Sequence, residues 1–527
     1  MLCSGVILFS ISACSGSGNS PEEQIINYNI DNEPVTLDPQ IADDSGARLV
    51  ILNIFEGLVR IDADGNAVEG VAENWEISDN NTVYTFHLRK NAQWNNGTKL
   101  TADDFVFGIR RSLLPETGSS TAQTLYCIKN AEAVAKGRLD SSTLGIYAIN
   151  ENTLKIELEY PYSGFLSLLA TAPAMPCNQE FFDSVAGQYG RDYKYILSNG
   201  AFYVRDYGWS HNEYIYLRKN TKYNGKDKPI PAGVDLTIGK SFDDICDAVS
   251  SNTVDCYSIP VNDVERAEKL NLNLISFGDT IWGISFNTQD SVLKNTDIRC
   301  GLLSSLDRNY ILKSIPFNCT DAHDIIPDSA KVGDKSYRSV AGNSLYIKKS
   351  DKAKATFQKG LKSLKLDGLP KTTIVCSNDA ATQSIVNNII ETWNKVTGTY
   401  INKKPVSRSS LDDAVTSGDY QIIITPLTVD GDNPLNTLEL FSSKNKNNIS
   451  RLSDIAYDNY IETIRQNPNE SALLTMIDAE TYLNENGIFY PLYLEKRYYA
   501  SAENVSGIIF HPYGAEADFF YAKKIEK

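Results

Sequence analysis

Gly239-Lys240-Ser241 has the ending of a phosphate-cradling loop, in which backbone amides and the lysine hold nucleotide phosphates. Five residues separate Gly233 from Gly239 where that loop needs four, so the spacing argues against a nucleotide site. No Gly-x-Ser-x-Gly elbow is present to expose a nucleophilic serine. The histidines, at 87, 211, 323 and 511, are far apart in sequence, and none stands at zinc spacing from a cysteine. His87 falls in an alternating strand pattern and reads as a solvent-facing residue. The carboxylate pairs Asp103-Asp104 and Asp243-Asp244 fall at helix starts, where the positive end of the macrodipole accounts for them. An enzyme, a metal site or a cofactor therefore finds no support in residue types and spacing. One polar residue stands out by position. Asp430 lies in Thr425-Pro-Leu-Thr-Val-Asp430-Gly431-Asp432-Asn433-Pro434, directly after the apolar strand pattern of 421–425. Open α/β sheets bind ligands outside the carboxyl ends of their strands. The same aspartate could instead make a turn hydrogen bond.

The elements around Asp430 alternate. Strand patterns at 373–376 and 421–425 are interleaved with helical patterns at 381–396, 411–417, 435–441, 457–465 and 472–484. Such alternation predicts an α/β lobe. Ile385, Ile389 and Trp393 mark one helix face, with Gly398 at the C′ position. Earlier in the chain, 54–115 reads as strand, turn and capped helix. Tyr84, Phe86 and Leu88 alternate with polar residues. Asn95-Asn96-Gly97 supplies a turn. Thr101 and Asp104 fit a capping box ahead of Phe105, Ile109 and Leu113, and Pro115 ends the helix. Further helices are expected at 42–55, after a Tyr160-Pro-Tyr162 lead-in running to Leu169, and from 297 to 313 with Asp297 as its cap; further strands are expected at 25–30, 234–238, 282–288 and 489–494, and no pattern from 508 onward.

The chain has 527 residues, material for about three domains. Its net charge of -16 disfavours nucleic acid as a partner, because phosphates require a basic surface. Residues 2–13 are apolar or small, the length of a signal h-region. Ile11-Ser12-Ala13-Cys14 resembles the bacterial lipobox, in which the cysteine is diacylated, and residues 15–21 form a flexible tether. The basic n-region of such a leader is missing, the first Lys or Arg being Arg48, which implies that Met1 is not the true start or that the leader is clipped. Beyond Cys3 and Cys14, seven cysteines remain, an odd number. Cys246 and Cys256 could bridge a helix to the next strand if the fold brings them together.

Several stretches, taken in order, point to a family. They are Pro34-Val-Thr-Leu-Asp-Pro39, Phe55-Glu-Gly-Leu58, Val71-Ala-Glu-Asn-Trp75, Tyr84-Thr-Phe-His-Leu-Arg89, Ala92-Gln-Trp94, Asn96-Gly97 and Thr101-Ala-Asp-Asp-Phe-Val106. Asn199-Gly-Ala-Phe-Tyr203, Asp297-Ile-Arg299 with Asp307-Arg308, 448–458 and Tyr490-Pro-Leu-Tyr493 continue the series. In this series the chain resembles the extracellular solute-binding proteins of peptide ABC importers, the oligopeptide- and dipeptide-binding proteins. The resemblance implies a two-lobed α/β fold of the periplasmic-binding-protein type that closes on its ligand by a hinge motion. It implies the division 1–21 leader and tether, 22–58 first lobe, 59–190 inserted subdomain, 191–282 first lobe, 283–488 second lobe and 489–527 return to the first lobe. Crossings are expected near Trp282 and Ile488.

By the same resemblance Asp430 pairs with a peptide's α-ammonium. Leu427 stands where many members have a pocket tryptophan, and Ile424 where oligopeptide binders carry an arginine for the peptide carboxylate. Thr428, Phe107, Trp282, Asn199 and Gly200 complete the expected ligand contacts, with Cys14 the lipidated residue. The implied partners are a peptide, the permease subunits of an ABC importer and a lipid membrane; no cofactor and no metal is implied. The implied location is outside the cell, on the outer face of the cytoplasmic membrane or in a periplasm. Other solutes handled by such proteins (a nickel chelate, haem, an oligosaccharide) and a peptide-pheromone receptor are the alternatives.

Overall fold

The computed structural model describes residues 24–525 except 64, 79–80, 163, 252, 260–262, 271, 316–318, 329, 333–334, 343–345, 429–432, 446–447, 467–469 and 512–516. Strands used below are β1 Ile25–Ile30, β2 Ala72–Ile77, β3 Val83–Leu88, β4 Ile146–Asn150, β5 Thr153–Glu157, β6 Phe202–Ser210, β7 Tyr214–Lys219 and β8 Gly233–Ile238. They continue with β9 Cys256–Ile259, β10 Leu272–Phe286, β11 Cys319–Asp321, β12 Thr372–Ser377, β13 Ile401–Val406, β14 Ile422–Thr428 and β15 Phe489–Ala502. The helices are α1 Ser45–Ile54, α2 Ala102–Leu113, α3 Thr296–Ser304, α4 Arg308–Ile311, α5 Ala353–Ser363, α6 Ala380–Thr397, α7 Arg408–Ser417, α8 Pro434–Leu438, α9 Ile455–Gln466 and α10 Leu473–Glu485.

One 11-stranded mixed sheet runs through the molecule in the order β13-β12-β14-β10-β15-β9-β1-β8-β7-β6, with β11 also on β15. Its centre is the antiparallel pair β10 and β15, the two longest strands, in register from Leu272↔Ala502 to Ser285↔Phe489. Two large hydrophobic cores sit on either side of this pair. The first draws on residues between 26 and 256 and on 517–522. The second draws on residues between 281 and 493. Along β10 the change of core coincides with a register shift between Gly278 and Thr280. Along β15 it falls after Leu494; beyond these points Leu274, Tyr498 and Ala500 pack on a third, smaller core built from residues 242–267, and Trp282 and Ile488 both belong to the second core. A separate four-stranded sheet, β2-β3-β5-β4, packs its apolar face (Tyr84, Phe86, Leu154, Ile156) into the first core.

Local chemistry explains the element ends. The Asp44 carboxylate accepts from Ala47 N at 2.7 Å and starts α1. The Asp104 carboxylate accepts from Thr101 N at 2.8 Å, as expected for α2. Gly398 ends α6 at φ 73°, a backbone conformation open to glycine. Three expectations change. The helix placed from 297 to 313 is two: Asn295, rather than Asp297, caps α3, and Asp307 caps α4. Asp297 instead pairs with Lys359 at 3.0 Å. The tail after 508 is tied into the first core: the Asn53 amide donates to Ala517 O and accepts from Phe519 N, at 2.9 and 3.0 Å. No disulfide forms among the described cysteines, Cys246 and Cys256 included.

Candidate functional site

A cavity of about 1550 Å³ opens between the two cores. One wall is the end of α1 and the Phe55-Glu56-Gly57 turn, with Tyr126, Cys127, Tyr160 and Tyr162 beside it. The opposite wall is Leu435 and Asn436 of α8, then Glu439 and Leu440, with Arg465 of α9. The crossing strands contribute Phe277, Thr280, Glu495 and Arg497, and the tail contributes Phe510, His511, Asp518 and Phe520.

Charges on these walls are mostly paired. Arg465 meets Glu439 at 3.0 Å, and Arg60 meets Asp518 at 2.9 Å while its guanidinium lies 3.9 Å over the Phe520 ring. Glu56 pairs with Arg89 at 2.7 Å and accepts from the Tyr223 hydroxyl. Glu495 accepts from the Trp282 indole at 2.6 Å. Burial pushes the Cys127 thiol up to about 12, so it carries no thiolate at neutral pH. Burial also lowers His511 below the usual histidine range and raises Tyr160 well above the usual tyrosine range. The walls thus offer apolar and aromatic surface, with hydrogen-bonding groups of both kinds. Such a lining suits a bound molecule that carries both apolar and hydrogen-bonding groups.

A hydrogen bond spans the cavity. The Tyr162 hydroxyl donates to Asn436 Oδ1 at 2.8 Å, and its ring packs against both cores.

The residues expected from sequence are placed as follows. Asp430 lies outside the described residues. Leu427 is buried in the second core, its backbone opposite Ile281. Thr428 pairs along the ladder with Thr280, a cavity residue. Trp282 is 5% exposed and stacked on Tyr493; it does not line the cavity, and its indole donates to Glu495, which does. Phe107 is half-buried against Phe182, their centroids 5.8 Å apart. Asn199 is buried and spends its amide on the backbone of Glu56, donating at 2.8 Å and accepting at 3.1 Å. A Cβ on Gly200 would meet the Ile54 carbonyl carbon at 2.6 Å, so glycine there permits α1 to come close. Tyr126, Tyr160, Tyr162, Asn436, Glu439 and Arg465 went unnoticed in sequence. The Tyr160-Pro-Tyr162 pattern was the only hint, and it read as a lead-in to a helix.

The family-type motifs have structural work. Asp38 of the Leu-Asp-Pro loop pairs with Arg111 at 2.7 Å. Arg299 donates to Asn486 O at 2.7 Å and Leu293 O at 2.8 Å. Arg308 donates to the carbonyls of Pro491, Leu492 and Ala322 at 2.6, 2.8 and 2.8 Å. These buried cations satisfy backbone carbonyls in loops, at a helix end and at the start of β15.

Two cores joined by two long strands, with a cavity walled from both, define a two-lobed binding protein. Comparison with known proteins gives the family. The model for the bacterial extracellular solute-binding proteins, family 5 (middle), matches residues 66–448, and the chain belongs to this family. It is 31% identical to the oligopeptide-binding protein OppA of Bacillus subtilis, over 95% of this chain and 94% of that one. It is 26% identical to the dipeptide-binding protein DppE of the same organism, over 93% and 90%. Among solved structures, the substrate-binding domain of an oligopeptide ABC transporter from Bacillus anthracis superposes with a TM-score of 0.75 at 26% identity, covering 96% of this chain and 99% of that one.

Proposed function

We propose that this chain is the peptide-capturing component of an ABC importer, holding peptides between its lobes and delivering them to the permease. The observation that carries the reading is the cavity walled from both cores, whose size exceeds the roughly 300–1,000 Å³ of ordinary small-molecule pockets. The relatives' names, oligopeptide- and dipeptide-binding, support the ligand class. In this reading diacylated Cys14 anchors the protein to the outer face of the membrane, residues 59–190 are an insertion in the first lobe, and 283–488 are the second lobe. Asp430, after β14, meets the peptide's α-ammonium. Ile424 is fully buried in the second core, so no side chain at 424 meets the carboxyl end.

Native mass spectrometry of the purified protein tests the ligand class. A ladder of peptide masses is expected, and a single non-peptide mass would overturn it. Calorimetry with the peptides so identified tests the anchor: Asp430→Ala should weaken binding at least about tenfold, since truncating one partner of a buried charge pair costs about 2–5 kcal/mol.

A further inference from the structure

Residues 348–371 carry eight lysines, no arginine, and only Asp351 and Asp367 as acids, a local charge of +6. The chain as a whole is at -16, which leaves -22 on all other residues, so its charge is strongly polarised. α5 turns this segment outward. Ala353, Phe357, Gly360 and Leu361 form its buried stripe, and Gly301 of α3 lets the two helices approach so closely that a Cβ there would meet Phe357 N at 2.6 Å. The eight lysines are all exposed. Lys349 and Lys359 are neutralised by Asp307 and Asp297, at 2.8 and 3.0 Å. Lys348, Lys352, Lys354, Lys362, Lys365 and Lys371 form no ion pair among the described residues, and none lines the cavity.

The composition of this face selects its partner. Protein interfaces are depleted in lysine and enriched in aromatic residues, methionine and arginine. The one aromatic residue here, Phe357, is buried. Lysine presents a mobile point charge instead of the planar fork that reads a shaped anion. A diffuse, flat, negatively charged surface fits such a face. We propose that the lysine face of 348–371 docks the second lobe on an anionic phospholipid bilayer. Screening over a Debye length of about 8 Å lets lysines in contact feel the surface while the acidic remainder does not, which also orients the molecule.

The test uses the full chain carrying Cys14→Ser, so that no acyl chain contributes, sedimented with equimolar phosphatidylglycerol–phosphatidylcholine vesicles or with pure phosphatidylcholine. At low salt, partitioning onto the anionic vesicles is expected to be at least about tenfold stronger, and to vanish near about 0.5 M salt. The Lys352→Gln, Lys354→Gln, Lys362→Gln, Lys365→Gln variant should lose at least about tenfold in partitioning with its peptide affinity intact. A control changing Lys90, Lys226, Lys269 and Lys523 to Gln should stay within about twofold. Equal binding to both vesicle types, or equal loss in both variants, overturns the proposal. So does binding to soluble teichoic acid with none to vesicles, which assigns the face to a wall polymer.

Discussion

Asp104 caps α2 from a nearly closed site, 8% exposed, where burial pushes its carboxyl up to about 6 against the lowering effect of the Thr101 and Asn178 hydrogen bonds. Between about pH 4 and pH 6 the native state keeps a proton that the unfolded chain has released, so this group's contribution to stability falls as pH rises through that window. Asp104→Asn keeps an acceptor for Thr101 N and has nothing to titrate. Urea midpoints across the window should therefore decline less steeply for the variant, by on the order of 1–3 kcal/mol in total. Parallel pH profiles for the two proteins would refute the shifted carboxyl. Arg111 gives a second residue-scale expectation. Its guanidinium bonds Asp38 at 2.7 Å and lies 3.9 Å from the Phe182 ring centroid. Arg111→Ala strands a buried carboxylate and should cost about 3–5 kcal/mol by chemical denaturation. A loss under about 1 kcal/mol, the worth of a surface pair, would show that the site is wetter than its burial indicates.

Elements depend on close approach as much as on propensity. α3 and α5 meet through Gly301 and Gly360, where added Cβ atoms would fall 2.6 Å from Phe357 N and 2.7 Å from Ile298 Cγ1. Gly301→Ala raises helix propensity by about 1 kcal/mol yet forces backbone apart. The net effect should be destabilising by about 1–3 kcal/mol, and a variant as stable as the parent would mean the helices can slide. Caps show where local reading works and where it stops. The Thr101–Asp104 box was legible because its partners are three residues apart. Asp297 looked equally fit to cap a helix, but Asn295 does so, and Asp297 turns to Lys359, 62 residues on. The tail strands Ile509–Phe510 and Ala517–Asp518 have no periodicity to read, because Asn53 and the first core hold them rather than their own pattern.

At the scale of the molecule, the proposed function turns on closure of the lobes, and the Tyr162 contact is where that proposal can be tested. Its hydroxyl bond to Asn436 crosses the cavity between residues 274 apart in sequence. A net hydrogen bond is worth about 0.5–1.5 kcal/mol, enough to change an open–closed ratio about two- to tenfold. Tyr162→Phe should weaken peptide binding by that factor, and small-angle scattering should show a larger mean radius of gyration. If affinity falls with no change in radius, Tyr162 acts as a ligand contact instead of a clasp.

The alternation of strands and helices, the capped α2 and the ordered motifs from Pro34 to Tyr493 were all readable in the chain, since each rests on residues a few positions apart. Those motifs proved to be largely the frame: Asp38, Arg299 and Arg308 tie loops, a helix end and a strand start together. Which side chains face the cavity was decided only by the tertiary structure. Trp282 looked like a ligand aromatic but turns its indole to Glu495, 213 residues away. Tyr160, Tyr162, Glu439 and Arg465 looked unremarkable until two cores and two crossing strands brought them to one space. A binding surface between lobes is assembled from segments that packing, not spacing, makes neighbours, so its members leave no local pattern to read.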